Sequence, residues 1–108
     1  MSINDTESIK IVVALRMARA ALGISQLELA ELLGVSKITL ARVETLEAPL
    51  KADVYMKAIK VFRERGVVVD TMSTDSLMFN VTPHCLEGAL ARLKDVSRRR
   101  ADRRVVSK

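Results

Sequence analysis

The sequence predicts a mainly helical fold that ends in a short β-hairpin and one further helix. Apolar residues recur at helical spacing in four successive stretches before residue 67, and glycine or proline separates these stretches. Residues 67–81 instead contain two short apolar runs around a polar turn, which is typical of a hairpin. Pro83 then suits the first turn of a final helix, and Thr82 before it is a candidate cap.

The first helix is expected to end at Leu22, because Gly23 can adopt the left-handed conformation that closes a helix. Thr6 or Ser8 is its expected cap, so residues 1–7 are expected to form a frayed arm. The inward-facing candidates are Ile11 or Val12, Leu15, Ala18 or the apolar stem of Arg19, and Leu22.

Two short helical stretches, residues 26–33 and 37–44, meet with almost no loop between them. Gly34 can end the first helix sharply without a Cβ clash, and the Ser36 hydroxyl can accept a free N–H of the second. Two helices joined by so short a turn predict a helix-turn-helix, whose second helix usually enters the DNA major groove. The expected inward residues are Leu29, Ala30 and Leu33 in the first helix and Leu40 and Val43 in the second.

After a connection over residues 45–50, in which Pro49 prevents further helix, a fourth helix is expected over residues 52–65. Its expected core stripe is Tyr55, Ile59 and Phe62, with Met56 and Ala58 nearby, and Gly66 is its stop. The strands are expected at residues 67–69 and 77–81, with a loose turn at 71–76. The final helix has one apolar face, formed by Leu86, Ala89, Leu90, Leu93 and Val96.

A set of residues in register within residues 8–66 resembles the Cro/C1-type (XRE) family of helix-turn-helix regulators. The set comprises Leu15-Arg16, Arg19, the run Leu22-Gly23-Ile24-Ser25-Gln26, Leu29-Ala30, Gly34-Val35-Ser36, Thr39, Arg42 and Glu44. The resemblance implies a lambda-repressor-like DNA-binding domain of four or five helices, in a bacterial or phage transcriptional regulator. It implies that Gln26 contacts a DNA phosphate or a neighbouring recognition side chain, whereas the alternative for Gln26 is a solvated surface residue.

The candidate DNA-contacting residues follow from the outer face of the second helix of this motif. Lys37 or Arg42 can reach guanine in the major groove, and Ile38 can contact a thymine methyl group, although Lys37 and Arg42 would also suit phosphates alone. Helix N-termini attract phosphate as well. The full candidate set is Ser25, Gln26, Ser36, Lys37, Ile38, Thr39, Ala41 and Arg42, whereas Glu44 is expected to pair with Arg16 or Arg19.

Residues 67–97 are too few for a ligand-sensing domain, and their apolar faces exceed what a small helical core needs. We therefore expect them to form a homodimer interface, which would place two recognition helices about 34 Å apart on one face of DNA. The candidate interface residues are Val68, Met78, Phe79, Leu86, Leu90 and Leu93. The alternative is that this segment closes the core of its own chain.

The charge is concentrated at the end of the chain. Residues 98–108 carry six basic residues and one acid, whereas residues 1–97 carry twelve of each. Arg98, Arg99 and Arg100 are therefore candidate phosphate contacts in a basic tail, unless the tail is only a solvated helix end. The expected units are a DNA-binding domain at 1–66, a dimerisation segment at 67–97 and this tail.

Other classes of function have little support in the sequence. No apolar run approaches the ~20 residues that span a bilayer, and the polar first eight residues do not fit a targeting signal. The one cysteine, Cys85, fits a reducing cytoplasm, and the adjacent His84 has no second His or Cys with which to bind zinc. We expect no catalytic residues, metal or cofactor.

The prediction is a cytoplasmic regulator that binds double-stranded DNA as a homodimer, as a repressor or through contact with RNA polymerase. One alternative is an antitoxin, whose C-terminal segment would also hold a toxin protein. Another is a helical interaction module without DNA binding, whose third helix should be acidic or apolar on its outer face.

Overall fold

The computed structural model describes the backbone of residues 3–71 and 76–95, and the side chains within those ranges from residue 7 onward. Four helices precede an antiparallel hairpin and a fifth helix, which confirms the mainly helical prediction. The elements are α1 (Ile3–Leu22), α2 (Gln26–Leu33), α3 (Lys37–Glu44), α4 (Ala52–Glu64), β1 (Val67–Asp70), β2 (Met78–Val81) and α5 (Pro83–Lys94).

Helix α1 is longer than the sequence suggested. It begins at Ile3, so the prediction of a frayed arm over residues 1–7 and a cap at Thr6 or Ser8 was wrong from residue 3 onward. Neither glycine nor proline occurs between Ile3 and Leu22, so nothing in this stretch interrupts helical hydrogen bonding. The predicted end is confirmed, since α1 stops at Leu22 and Gly23 has a φ of 66°.

The core lies where the four N-terminal helices and β1 meet. Its largest fully buried side chains are Phe62, Leu15, Leu29, Leu40 and Val67. Aliphatic residues dominate this core, and small alanines at the helix contacts allow close packing. These alanines are Ala14 and Ala18 in α1, Ala30 in α2 and Ala58 in α4.

Helix α4 buries the predicted Phe62 and Ala58, but the prediction that Met56 lies near the core was wrong. Ala58, Val61 and Phe62 are buried, whereas Met56 is 65% exposed. Met56 precedes Ala58 by two residues and is therefore about 200° away around the helix, which places it on the solvent side. Tyr55 and Ile59 are half-buried at the edge of the core.

The hairpin packs one face on the core. Val67 pairs with Val81 and Val69 with Phe79, and these four side chains share the inner face. Phe79 was expected at a dimer interface, but it is half-buried and packs against the core of its own chain. The predicted turn at 71–76 lies mostly outside the described residues.

Helix α5 begins at Pro83 as predicted but makes little core contact through its leucines. Leu86, Leu90 and Leu93 are 57, 54 and 70% exposed, whereas Cys85 is buried. Val96, the last residue of the predicted face, lies outside the described residues. Thr82 precedes the helix, but its hydroxyl donates to the Gly66 carbonyl (2.7 Å) instead of capping α5. Within the described ranges, no helix has both the length and the apolar character to cross a membrane.

Candidate nucleic-acid interface

The turn between α2 and α3 is built by two residues with defined local roles. Gly34 has a φ of 73°, a left-handed conformation that side chains other than glycine rarely adopt, and its N–H closes the end of α2. Ser36 then caps α3, since its Oγ accepts the Thr39 N–H at 3.0 Å. The sequence predicted both roles, and together they fix the direction in which α3 leaves α2.

A capping box begins α2. The Ser25 Oγ accepts the Glu28 N–H (3.1 Å), and the Glu28 carboxylate accepts the Ser25 N–H (2.9 Å). Ser25 is exposed, so the positive end of the α2 dipole faces solvent at the position where the sequence predicted a phosphate contact.

An ion pair ties α3 to both preceding helices. The Arg19 guanidinium donates from Nε and Nη2 to the two carboxylate oxygens of Glu44, at 2.9 and 2.8 Å. The Gln26 Nε2 donates to Glu44 Oε1 at 2.8 Å. Glu44 is only 3% exposed. The two parallel hydrogen bonds between its carboxylate and the guanidinium fix the relative orientation of the two side chains, in addition to the attraction between their charges. The expected ion pair of Glu44 is thereby confirmed with Arg19, while Arg16 is exposed.

This network also places Gln26. Its side-chain amide contacts Glu44, the last residue of α3, which is buried and is not one of the candidate recognition residues, so the predicted DNA role of Gln26 stays a prediction. Because the bond uses the amide nitrogen, the side-chain oxygen keeps capacity to accept. Gln26 therefore connects the start of α2 to the end of α3.

The two faces of α3 differ sharply. Leu40 and Val43 are buried, whereas Lys37, Thr39 and Arg42 are exposed and Ile38 is 74% exposed. Ala41 is half-buried at the boundary between the two faces, so it is less accessible than the sequence analysis expected. The outer face thus combines two cations, an aliphatic side chain and a hydroxyl, which are the groups that read major-groove edges and phosphates.

The Thr39 hydroxyl is oriented by Ser36. The Ser36 O–H donates to Thr39 Oγ1 at 2.8 Å, so Thr39 uses its oxygen as the acceptor in that bond. Its own proton remains available for donation, and a phosphate oxygen can accept such a hydrogen bond. This geometry is chemically compatible with Thr39 as one of the candidate DNA-contacting residues.

The connection after α3 contains a feature that sequence reasoning missed. Leu46 has a φ of 65° and an exposed side chain, although leucine rarely adopts this conformation. Glu47 beside it accepts a hydrogen bond from the Thr45 hydroxyl at 2.7 Å. A glycine would have signalled this turn, and Leu46 gives no such signal.

Other predicted residues lie away from α3. Val68, Met78, Leu86, Leu90 and Leu93 are exposed on the hairpin and α5, whereas the basic residues of the tail, including Arg98, Arg99 and Arg100, lie outside the described residues. His84 is exposed and Cys85 is buried against the Ala21 carbonyl. Within residues 3–71 and 76–95, no three His, Cys, Asp or Glu side chains are grouped as metal ligands.

Comparison with known families agrees with this geometry. Residues 15–65 match a family model described as Helix-turn-helix. The match spans α1 from Leu15 through the end of α4, and so includes the Arg19–Glu44 pair and the outer face of α3. Searches among curated proteins and solved structures found no significant match. Residues 15–65 are therefore a helix-turn-helix domain of the Cro/C1 (XRE) type, a family of DNA-binding transcriptional regulators.

Proposed function

We propose that this protein binds a specific operator as a homodimer, with the outer face of α3 in the major groove. The observation that carries the proposal is the orientation of α3. Its inner face is held by Leu40, Val43 and the Glu44 network, and within the described residues no segment covers Lys37, Ile38 or Arg42. The basic character of this face opposes the interaction-module alternative, which calls for an acidic or apolar one.

Local arrangement supplies the attraction for DNA. Residues 1–97 have no formal net charge, so the helical domain depends on the cations of α3 and on the exposed N-terminus of α2. The proposed contacts from these elements are Ser25, Gln26, Ser36, Lys37, Ile38, Thr39, Ala41 and Arg42. The basic tail is proposed to add sequence-independent affinity for phosphates.

The exposed leucines of α5 support a dimer of this chain. Leu86, Leu90 and Leu93 are spaced by four and three residues and all are more than half exposed, so they form one apolar stripe. Isolated apolar side chains are normal on a protein surface, but a continuous stripe is a common sign of an interface. Val68 and Met78, on the outer face of the hairpin, are proposed to extend it. A twofold dimer through this surface would pair each recognition helix with one half of a palindromic operator.

The proposal is tested by selecting bound fragments from genomic DNA with the full-length protein. We expect a sequence motif with two related half-sites to be enriched. Placing a reporter gene behind the selected operator in the bacterial cytoplasm then distinguishes repression by exclusion of RNA polymerase from activation by contact with it. Enrichment of no motif would contradict the proposed sequence-specific function.

The assignment of α3 is tested by the double variant Lys37→Ala and Arg42→Ala. Each lost base contact should weaken binding to the selected operator by ~1–3 kcal/mol. The matched control is Lys60→Ala with Arg63→Ala, which removes the same charge from the exposed side of α4. Affinities are measured by fluorescence anisotropy. Equal losses in both double variants would show that the α3 side chains contribute only non-specific electrostatic attraction to DNA binding.

A further inference from the structure

Helix α5 is attached to the helix-turn-helix domain at two separate helix ends. At the first, the Gly66 carbonyl beyond α4 accepts both the Thr82 N–H (2.9 Å) and the Thr82 hydroxyl (2.7 Å). At the second, the Ala21 carbonyl in the last turn of α1 accepts the Arg92 Nη2–H at 2.8 Å and faces the Cys85 thiol at 3.6 Å. Thr82 and Arg92 are ten residues apart, so the two attachments fix both ends of α5.

The Arg92 contact has features that a chance surface contact lacks. Carbonyls in the last turn of a helix have no partner within the helix and carry the negative end of its dipole, so a guanidinium is a favourable donor there. A Cβ at Gly23 would lie 2.4 Å from the Arg92 Nε, so the guanidinium occupies space that a side chain at this position would take. A Cβ at Gly88, one turn before Arg92, would also be close to the guanidinium, at 3.4 Å from Nη1.

The place of this contact connects two parts of the proposed function. Gly23 lies two residues before Ser25, the cap of the helix that begins the motif, and α5 carries the leucine stripe proposed to bind a second copy. If α5 is held rigidly on the domain, the way two α5 helices pair determines where α2 and α3 of each copy lie. A loosely attached α5 would leave the two recognition helices free to vary in separation.

We infer that Arg92 is a positioning residue: by fixing α5 on the end of α1, it sets the separation of the two recognition helices in the dimer. This inference rests on the proposed homodimeric, operator-binding function. Arg92 itself contacts neither the DNA nor the second copy. It determines which spacing between operator half-sites the dimer accepts.

The test uses the full chain and three variants, with a matched control. Arg92→Ala removes the contact, Arg92→Met removes the charge and the donors but keeps the apolar stem, and Arg92→Lys keeps a charge and a donor. The control is Lys60→Ala, which removes one positive charge from the exposed side of α4, on a different helix from the leucine stripe. Affinity is measured by anisotropy for the selected operator, for a single half-site, and for operators whose spacer is one base pair longer or shorter.

One base pair rotates a half-site by about 34° relative to the other, so a rigid dimer should discriminate strongly between the spacers. We expect the wild type and Lys60→Ala to lose about tenfold in affinity on altered spacers. Arg92→Ala should lose less than about threefold, because a hydrogen bond from a charged donor is worth at least about tenfold. Arg92→Met should behave like Arg92→Ala, and Arg92→Lys should recover most of the discrimination. Half-site affinity and dimer mass should stay unchanged.

Two other results would overturn the inference. If Arg92→Ala and Arg92→Met discriminate spacers as the wild type does, the contact does not set the separation. If either variant loses half-site affinity or becomes monomeric, the contact instead maintains the domain or the interface. A wild type that binds no operator, or binds one as a monomer, would refute the proposed function itself and is recognised before any variant is made.

Discussion

At the scale of single residues, Glu44 determines how α3 is held. Its carboxylate is almost fully buried and receives hydrogen bonds from Arg19 of α1 and Gln26 of α2. The buried charge is therefore matched by a cation and by an amide donor, as a carboxylate in this position requires. Three helices meet at this one side chain.

Replacing Glu44 with alanine should lower the free energy of unfolding by about 3 kcal/mol, because the partly buried Arg19 guanidinium would be left without a counter-charge. Urea denaturation at equilibrium measures the change. Glu31→Ala is the matched control, since Glu31 is exposed on α2, and it should alter stability by less than about 0.5 kcal/mol. Similar losses in the two variants would show that the network contributes little.

Leu46 is the residue that local sequence reasoning could not anticipate. Sequence patterns indicate a left-handed residue through glycine or asparagine, and leucine disfavours that conformation by roughly 1–2 kcal/mol. The conformation is imposed by its surroundings, where the Glu47 and Ala48 N–H groups bond back to the Arg42 carbonyl. Such a residue is visible only once the chain on both sides of it is in place.

At the scale of elements, the sequence predicted α2, α3 and the hairpin well because their boundaries are set by neighbours in the chain. Gly34 ends α2, Ser36 caps α3 and Pro83 begins α5, and each does so through residues within one helical turn of its own position. The outer face of α3 could be predicted for the same reason, once Leu40 and Val43 were assigned inward.

The start of α1 and the contact of Arg92 were missed, because neither is marked by adjacent residues. The exposure of Met56 follows from which side of α4 the other helices cover.

The contact between α4 and the end of β1 can be followed through a single chromophore, Tyr55. Tyr55 is the protein's one tyrosine, there is no tryptophan, and its hydroxyl hydrogen-bonds to that of buried Thr71, just after β1. Burial raises the pKa of Tyr55 above its ordinary value, the negative charges of Asp70 and Glu7 raise it further, and the Thr71 hydrogen bond partly opposes them. The phenolate absorbance of the protein therefore measures the ionisation of Tyr55 alone, and so the contact between α4 and the end of β1.

We expect the phenolate absorbance of the native protein to titrate at higher pH than that of the urea-unfolded chain. Because the folded pKa is raised, the contribution of Tyr55 to stability is complete below its unfolded pKa of about 10 and is lost as pH rises through the folded pKa. Thr71→Val should move the native midpoint higher still, since the hydrogen bond lowers the pKa. If the native and unfolded proteins titrate at the same pH, Tyr55 is not buried against Thr71 in solution.

At the scale of the whole molecule, apolar surface and charge are separated along the chain. The stripe of exposed leucines lies in α5, the outer face of α3 is basic, and residues 98–108 hold all of the formal net charge. This separation lets self-association and DNA binding be perturbed independently.

Leu90→Asp should convert the proposed dimer to a monomer at micromolar concentration, because a carboxylate in the middle of the stripe would be buried without a partner. Sedimentation equilibrium measures the mass. Met56→Asp is the matched control, since Met56 is equally apolar and exposed but lies on α4, and it should leave the mass unchanged. A dimer that survives Leu90→Asp would exclude α5 from the interface.

The division of α3 into a buried side and an open side has a consequence for how such a protein can change its target. Lys37, Ile38 and Arg42 add nothing to the core, so their identities are unconstrained by folding. Half-buried Ala41 is the exception, and a bulky replacement there would meet the domain itself. Under the proposed function, we expect that exchanging the three open side chains alone redirects the protein to a new base sequence, and that drift at these positions allows duplicated copies to acquire separate sets of genes.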